Sequence, residues 1–400
     1  MEAKRDRSSA GVGWSTLPEA SKAGREAVRM ALEAAGGGKP VAVIVYMTVL
    51  YDPKIVLAAV RDAISDKSVP VVGSSTQGIA RAGAVTETDR VVGVAVICSD
   101  KIRASAALVT GLAADPKAAG KKLAEQLGDP SGLGDSPLLL WFDPLTGANI
   151  QSLIDGLSEG GYGKIIGGAS GQPWGPLAKT YQYFDRESMN DAAVALKLEG
   201  IGSTVWDTSH GVDPLGLAVK VTEAEGNVIR KLDGRPALDV WSEQLLGTFT
   251  FHVDDWTWVL GVRLPESDPN DPEGLVSRGI FGIDRDKKEL TLLAPIPVGS
   301  TVHVCHRTVE AVFDRGVKMG ERVASRLRGK TPLIALAFEC GARPRPFLGD
   351  EKALEEVCRI QDTIGRDIPW LGMYPWGEIA PKGGKSQFSN YQFPLLVLCE

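Results

Sequence analysis

Residues 41–78, VAVIVYMTVLYDPKIVLAAVRDAISDKSVPVVGSSTQG, decide the fold. The stretch opens on VAVIVY, an apolar run without alternation, the pattern of a strand buried on both faces. PKIVLAAVRDAI at 53–64 follows, with apolar residues at helical spacing. A second apolar run, VPVVG, stops at Gly73 in the polar loop GSSTQG. Strand, helix, strand in this order predicts two parallel neighbours joined by a right-handed crossover. DRVVGVAVICSD at 89–100 adds a third strand.

The same order of events recurs twice. PLLLWF at 137–142 leads to a helix, GANIQSLIDGLSEG at 147–160. The strand KIIGG then halts at Gly167 and Gly168 in GGASGQPWG, and NDAAVALKLEG at 190–200 closes the set. PLIALAFECG at 332–341 leads to DEKALEEVCRIQDTIG at 350–365, then IPWLGMYPWGEIAP at 368–381, then SNYQFPLLVLCE. Between the second and third sets lie β-rich insertions: 203–234, with turns at DPLG and EAEGN, and 279–306. Helices are expected at RPALDVWSEQLL and at TVEAVFDRGVKMGERVASRL, 308–327. The expected fold class is α/β: two domains of mixed sheets built from repeated β-α-β-β units, with covering helices and inserted antiparallel strands. The polar segment PESDPNDPEG, 265–274, marks the boundary between 36–264 and 275–400, with 1–35 an N-terminal segment and helix.

Composition narrows the function. The chain has 400 residues, enough for more than one core. Its net charge of −6 lacks the basic excess of a nucleic-acid-binding surface. The longest apolar run, 41–51, is too short to cross a bilayer. MEAKRDRSSAG carries basic residues with no apolar stretch behind them, so no signal peptide is expected and the cytoplasm is the expected compartment. Five scattered cysteines (98, 305, 340, 358 and 399), with no C-x-x-C pair, read as reduced, buried thiols.

Several motifs fail on their context. GGGKP at 36–40 lacks the spacing of a phosphate loop and precedes a strand instead of following one. GVGWS has no strand before it, so it is no dinucleotide fingerprint. HVCH at 303–306 puts His303 and Cys305 on one strand face and His306 on the other, an incomplete metal site. Ser74, Ser75 and Ser170 lie outside any G-x-S-x-G elbow, so no serine nucleophile is expected.

What remains is the glycines at the strand ends. Glycine there permits close approach of a backbone or ligand, and open α/β sheets bind ligands beyond the carboxyl ends of their strands. The three loops Gly73–Gly78, Gly167–Gly171 and Gly372–Glu378 are therefore expected to share a cleft. Candidate ligand contacts are Gly73, Ser74, Ser75 and Thr76; Gly167, Gly168 and Ser170; Gly372, Tyr374, Trp376, Gly377, Glu378 and Asn390. Backbone N–H groups would hold a ligand carboxylate. Glu378 would pair with an amine, between apolar walls supplied by Tyr374 and Trp376. His210, in TSHGVDPLG, is a further contact or an axial ligand for haem.

The chain resembles the FIST family, a FIST N-terminal domain followed by a FIST C-terminal domain, over roughly residues 12–400. The stretches carrying the resemblance are VPVVGSSTQG, KIIGGASG, TSHGVDPLG, VTEAEGNVIRKLDGRPALDVW, VGSTVHV, IPWLGMYPWGEIAP and SNYQFPLLVL. Most specific are KLDGRPALDVW and the GEI loop, Gly372 to Ile379, with Asn390. The resemblance implies an intracellular sensory module for small ligands such as amino acids, coupled to a signalling partner. It also implies, for certain members, a haem protein that senses nitric oxide and acts on a partner histidine kinase.

The leading expectation is a non-catalytic, cytoplasmic sensor of a small ligand, with its signal leaving through a partner protein in trans or a homo-oligomer interface. The alternatives are the haem sensor with His210 as ligand, an enzyme using Glu378 as general acid or base, and a plain protein-interaction module.

Overall fold

Strands Pro40–Met47 and Val71–Ser75 pair in parallel, and helix Pro53–Ala63 connects them. Asp52 caps that helix by accepting the Lys54 N–H, and Pro53 fits its first turn. Val92–Cys98 pairs antiparallel with Pro40–Met47. The computed structural model describes residues 8–87, 89–173, 179–245, 257–266, 268 and 271–400. Outside the described residues lie the first seven, Trp174 and Gly175 of the GGASGQPWG loop, Leu246 of the expected helix, His252, and residues 267, 269 and 270 of the expected boundary.

The sequence SAGVGWS forms the edge strand Ser9–Ser15 of this first sheet, and helix Ala20–Ala34 lies directly on it. A Cβ at Gly11 or Gly13 would stand 2.1 and 2.0 Å from the carbonyl oxygens of Ala31 and Ala27, so these glycines let helix and strand touch. A second sheet contains Arg103–Thr110, Ala192–Glu199, Leu138–Phe142 and Ile165–Ala169, with helices Pro116–Leu127 and Ile150–Glu159. A third contains Ser203–Ser209, Phe393–Cys399, Pro332–Phe338 and Trp370–Met373, with helices Val309–Leu327 and Asp350–Ile364. In all three sheets the two helix-linked strands are parallel and their other neighbours antiparallel.

Each sheet is completed by a hairpin that leaves the tip of a different one. Ile79–Arg81 and Ala84–Thr86 follow the first sheet's tip strand but pair with Trp370–Met373 of the third. Gln182–Phe184 and Glu187–Met189 leave the second and pair with Val71–Ser75 of the first. Glu378–Lys382 and Lys385–Ser389 leave the third and pair with Ile165–Ala169 of the second. The sequence reading of four elements per set omits both the hairpin and the opening strand. The hairpin strands are three to five residues long and pair far away in sequence, which gives local periodicity little to register.

The apolar runs are continuous because both faces are covered. Ile44, Tyr46, Trp141, Leu139, Ile334 and Leu336 meet between the three sheets, and the alternate residues Val43, Val45 and Leu140 face the helices. The Trp141 indole donates to the Tyr46 hydroxyl at 3.2 Å inside this apolar centre, so neither polar group is left unpaired there.

The described residues between Ser209 and Val309 build a separate antiparallel layer. Thr301–Arg307, Val219–Glu225, Val228–Leu232, Glu289–Leu292, Leu275–Asp284 and Trp258–Arg263 pair in that order. Trp258–Arg263 then pairs back to Thr301–Arg307, closing a ring. Helix Ala237–Gln244 buries Leu238 and Trp241 against this barrel's core. Among the described residues no cluster of three metal-ligating side chains forms, HVCH included.

Gly73 and Gly167 lie inside their strands, not past them as the sequence reading has it. A Cβ at either would stand 1.9 Å from the neighbouring strand's carbonyl oxygen, of Val45 and of Leu140. Gly167→Ala should therefore cost about 1–3 kcal/mol by forcing the strands apart. Gly163→Ala, where a Cβ meets nothing within 4 Å, should stay within about 0.5 kcal/mol of the parent. Denaturant melts check both; equal stabilities would remove the packing role given to Gly167.

Candidate functional site

The hairpin exchange brings the three strand tips together. Gly171 N–H donates to the Ser75 carbonyl at 2.9 Å, Gln77 N–H to Tyr374 at 3.2 Å, and Ala169 N–H to Gly377 at 2.8 Å. The hydroxyls join in: Ser75 Oγ accepts from Tyr181 N–H at 2.9 Å, Thr76 Oγ1 accepts from Tyr374 N–H at 2.9 Å, and Ser170 Oγ donates to the Tyr181 carbonyl at 3.1 Å. These polar groups pair with one another, which is how a buried turn region avoids the cost of unmatched donors.

The meeting point is therefore packed, not hollow. Gly73, Ser74, Ser75, Thr76, Gly167, Gly168, Ser170, Gly372, Tyr374, Gly377 and Glu378 are all buried. None of them lines the large cleft beside it. That cleft, about 960 Å³, lies between the turn 142–150 of the second sheet, the barrel segments 224–227 and 281–298, and the third sheet's tip at Cys340, Trp376 and Asn390. Of the candidate residues, Trp376 and Asn390 line it. Among the described lining residues none is charged and none is a histidine.

Glu378 opens its hairpin strand and turns inward. Its Oε2 accepts the Gln392 N–H at 3.0 Å, and its Oε1 is buried without a partner. Burial holds this carboxyl well above the ordinary range, and the Cys340 thiol lies alongside it. Burial, and then the neighbouring Glu378, push the Cys340 thiol up as well. Cys340 is thus a wall residue of the cleft with a neutral acid behind it.

Trp376 is fixed by a chain of side chains. Its indole donates to Gln77 Oε1 at 3.0 Å, and the Gln77 amide donates to Glu87 at 2.7 Å and to the Gly341 carbonyl at 2.8 Å. Burial brings the Glu87 carboxyl up to about 7, against the pull of Gln77 and the Arg345 N–H. Asn390 ties the third sheet to the barrel: its Oδ1 accepts the Gly279 N–H at 3.1 Å, and its backbone N–H donates to Ser277 at 3.0 Å. Behind the cleft wall, Arg278 donates to the Phe388 carbonyl at 2.6 Å, and the Arg307 guanidinium stacks 4.4 Å from the Tyr391 ring.

His210 is elsewhere. It is fully buried at the barrel's root, its Nδ1 accepts from Val212 N–H at 2.9 Å, and its Nε2 faces Glu273 at 3.6 Å. Burial lowers its pKa well below the ordinary value, so it is neutral. A haem needs an open face on the ligating nitrogen. One nitrogen here is occupied and the other faces a carboxylate inside the protein, so the His210 site does not fit haem. The sequence reading missed the cleft's apolar wall, LLAPIPV at 292–298, taken as strands and polar turns, and the turn around Asn149, which caps helix Ile150–Glu159. The visible signal was an apolar run broken by two prolines.

The FIST N domain model matches residues 41–235 and the FIST C domain model residues 237–381. The chain belongs to the FIST family. FIST domains are in general sensory, ligand-binding domains of signal transduction and not catalytic. Relatives include an uncharacterized protein of Mycobacterium tuberculosis, 28% identical and covering 95% of this chain and 97% of that one. Another, from Mycobacterium bovis, is 27% identical and covers 95% and 96%. Phosphoribosylformylglycinamidine synthase II of Thermotoga maritima aligns with 98% of this chain and 72% of its own, at 10% identity and a TM-score of 0.25, too weak a likeness to argue from. The cleft of this FIST protein is walled by both matched regions, with 142–150 and 224–227 from the first and 281–298 and 340–376 from the second.

Glu378 has a pH signature. Its ordinary value is 4.5 and its folded value lies well above that. Above pH 4.5 the folded protein keeps a proton that the unfolded chain releases, so stability falls as pH rises, by at most about 1.4 kcal/mol per pH unit. Glu378→Gln mimics the protonated side chain and removes this contribution. Urea melts at about pH 5, 6 and 7 should show the variant gaining on the parent at each step; parallel pH profiles would show that Glu378 titrates as an ordinary carboxyl.

Proposed function

We propose that the protein is a non-catalytic, cytoplasmic sensor that holds a small ligand in the cleft between barrel and sheets, and passes the signal to a partner protein in trans. The observation that carries this reading is the cleft's position. It is about 960 Å³, at the upper end of small-molecule sites, and an occupant would touch the second sheet, the third sheet's tip and the barrel at once. Such an occupant favours the arrangement in which all three walls contact it, which is how a ligand with differential affinity shifts a conformational equilibrium.

The cleft's chemistry favours binding over turnover. Its described walls present no carboxylate, imidazole or amine to a reacting group, and Glu378 stands behind Cys340. The five free cysteines, four of them buried, agree with a reducing compartment. Phe281, Leu293 and Val298 expose apolar surface around the mouth, where a partner or a second copy of the chain would sense whether the cleft is filled.

Thermal melts against a library of amino acids, acyl compounds and other metabolites test the reading. A true ligand should raise the melting temperature with concentration, by the equivalent of about 2.7 kcal/mol at a hundred times its dissociation constant. Ala294→Trp, which fills the cleft from its wall, should abolish the response. A flat response across the library, or shifts that persist unchanged in Ala294→Trp, would overturn the reading.

A further inference from the structure

The geometry points to an amphiphile, an extended apolar chain ending in a carbonyl group, as the molecule the cleft takes. This rests on the reading of the cleft as the ligand site and names the chemistry that reading leaves open.

The walls exclude the alternative first. A free amino acid brings an ammonium and a carboxylate, and each needs a charged or multiply hydrogen-bonding partner once removed from water. Among the described lining residues there is no Asp, Glu, Lys, Arg or His. The interior surface is instead that of Ile150, Leu292, Ile296 and Phe388, which favours a chain of methylenes leaving water.

Polar side chains line both ends, the exposed Asn149 and Asn227 at the rim and Asn390 and Cys340 inside, so the ends differ in depth. Asn390 and Cys340 are 3% and 4% exposed, at the strand-tip end, whereas Phe281 and Val298 at the mouth are 56% and 58% exposed. A ligand with a deep polar head and an apolar tail running to the mouth matches this gradient and covers exposed apolar surface as it does so.

The head is fixed by donors. Asn390 Oδ1 is taken by the Gly279 N–H, and a main-chain donor leaves the amide no alternative orientation. Oδ1 keeps a second lone pair, and Nδ2, which can only donate, offers two N–H groups. Cys340 adds a thiol, backed by the buried Glu378 carboxyl whose Oε1 has no partner. The thiol is a weak donor at the cleft wall, and Glu378 stands behind it, outside the lining. Donors require an acceptor, and a carbonyl oxygen at the end of the chain supplies one. Fatty acids, acyl esters and long-chain ketones share that chemistry.

Calorimetric titrations of the purified chain, below micelle-forming concentrations, separate these sources. Dodecanoic acid, methyl dodecanoate and tridecan-2-one are the three arms; dodecylammonium, which can only donate, and free leucine and tryptophan are the controls. Saturable one-to-one binding is expected for the carbonyl compounds, lost in Ala294→Trp and at least tenfold weaker for dodecylammonium. Binding of all three identifies a neutral acceptor as the head; binding of the acid alone, with an ionised head the walls have no charge to hold, overturns the inference. Asn390→Asp keeps the acceptor for Gly279 and removes the donor, so it should weaken the carbonyl arms at least tenfold. Phe281→Ser, at the exposed mouth and remote from the fold's core, should weaken dodecyl chains more than hexyl chains, and keeps the test informative if Asn390→Asp fails to fold. Equal binding of dodecylammonium, or chain-length indifference in Phe281→Ser, overturns the inference. Amino acids that bind while acyl compounds do not overturn it and leave the sensor reading standing; no cleft-dependent binding by any compound removes both.

Discussion

An open sheet edge must be paired, covered or blunted, and this chain extends the tip strand of each of these three sheets with a hairpin from another. The first sheet's tip strand, Val71–Ser75, is closed by 182–189, the second's by 378–389 and the third's by 79–86. Every closure joins residues from distant parts of the chain. Folding therefore makes the three sheets one cooperative object, because none has a complete set of strands until the others contribute theirs. Slow, non-local pairing is the physical cost of such a topology.

Convergence of the strand tips follows from the same exchange. A hairpin that must cross to the next sheet has to start where the sheets are close, so the segments preceding the hairpins are drawn to one place. Once there, they satisfy each other's main-chain groups, Gly171 to Ser75, Gln77 to Tyr374, Ala169 to Gly377. These main-chain groups are committed to one another, while Ser74 Oγ, the Tyr374 hydroxyl and Glu378 Oε1 beside them are buried without a partner. The hollow lies instead where the sequence departs from its own pattern, beside the third sheet, whose first strand and long helix are separated by the whole barrel.

The sequence was most legible where burial was most complete. VAVIVY, PLLLWF and PLIALAFECG are apolar on successive residues because one face meets the central core and the other meets helices. Family membership was legible too, in KLDGRPALDVW and the GEI loop. The hairpins were not, since IAR and QYF carry no period and their partners are far along the chain. Gly11 and Gly13 looked like a failed nucleotide motif; their meaning lies in a helix that touches them. Glu378 was read as a ligand's counter-charge because sequence shows a carboxylate but not its neighbours. Its neighbours, Cys340 and the Gln392 N–H inside a dry interior, make it an uncharged part of the wall's support.

The cleft's coupling to the rest of the molecule runs through a small number of such supports. Trp376 rests on Gln77, which also holds Glu87 at the end of the hairpin that completes the third sheet. Asn390 rests on Gly279 and Ser277 of the barrel. A displacement of Trp376 therefore changes the surroundings of a carboxyl whose affinity for a proton lies close to neutrality, at about 7, and a displacement of Asn390 changes how the barrel meets the sheets. Two walls of one cleft are thus tied to two different bodies of the fold. An occupant that presses on both links the barrel's seating to the hairpin exchange, the kind of linkage a sensor requires and a tightly packed core alone does not provide.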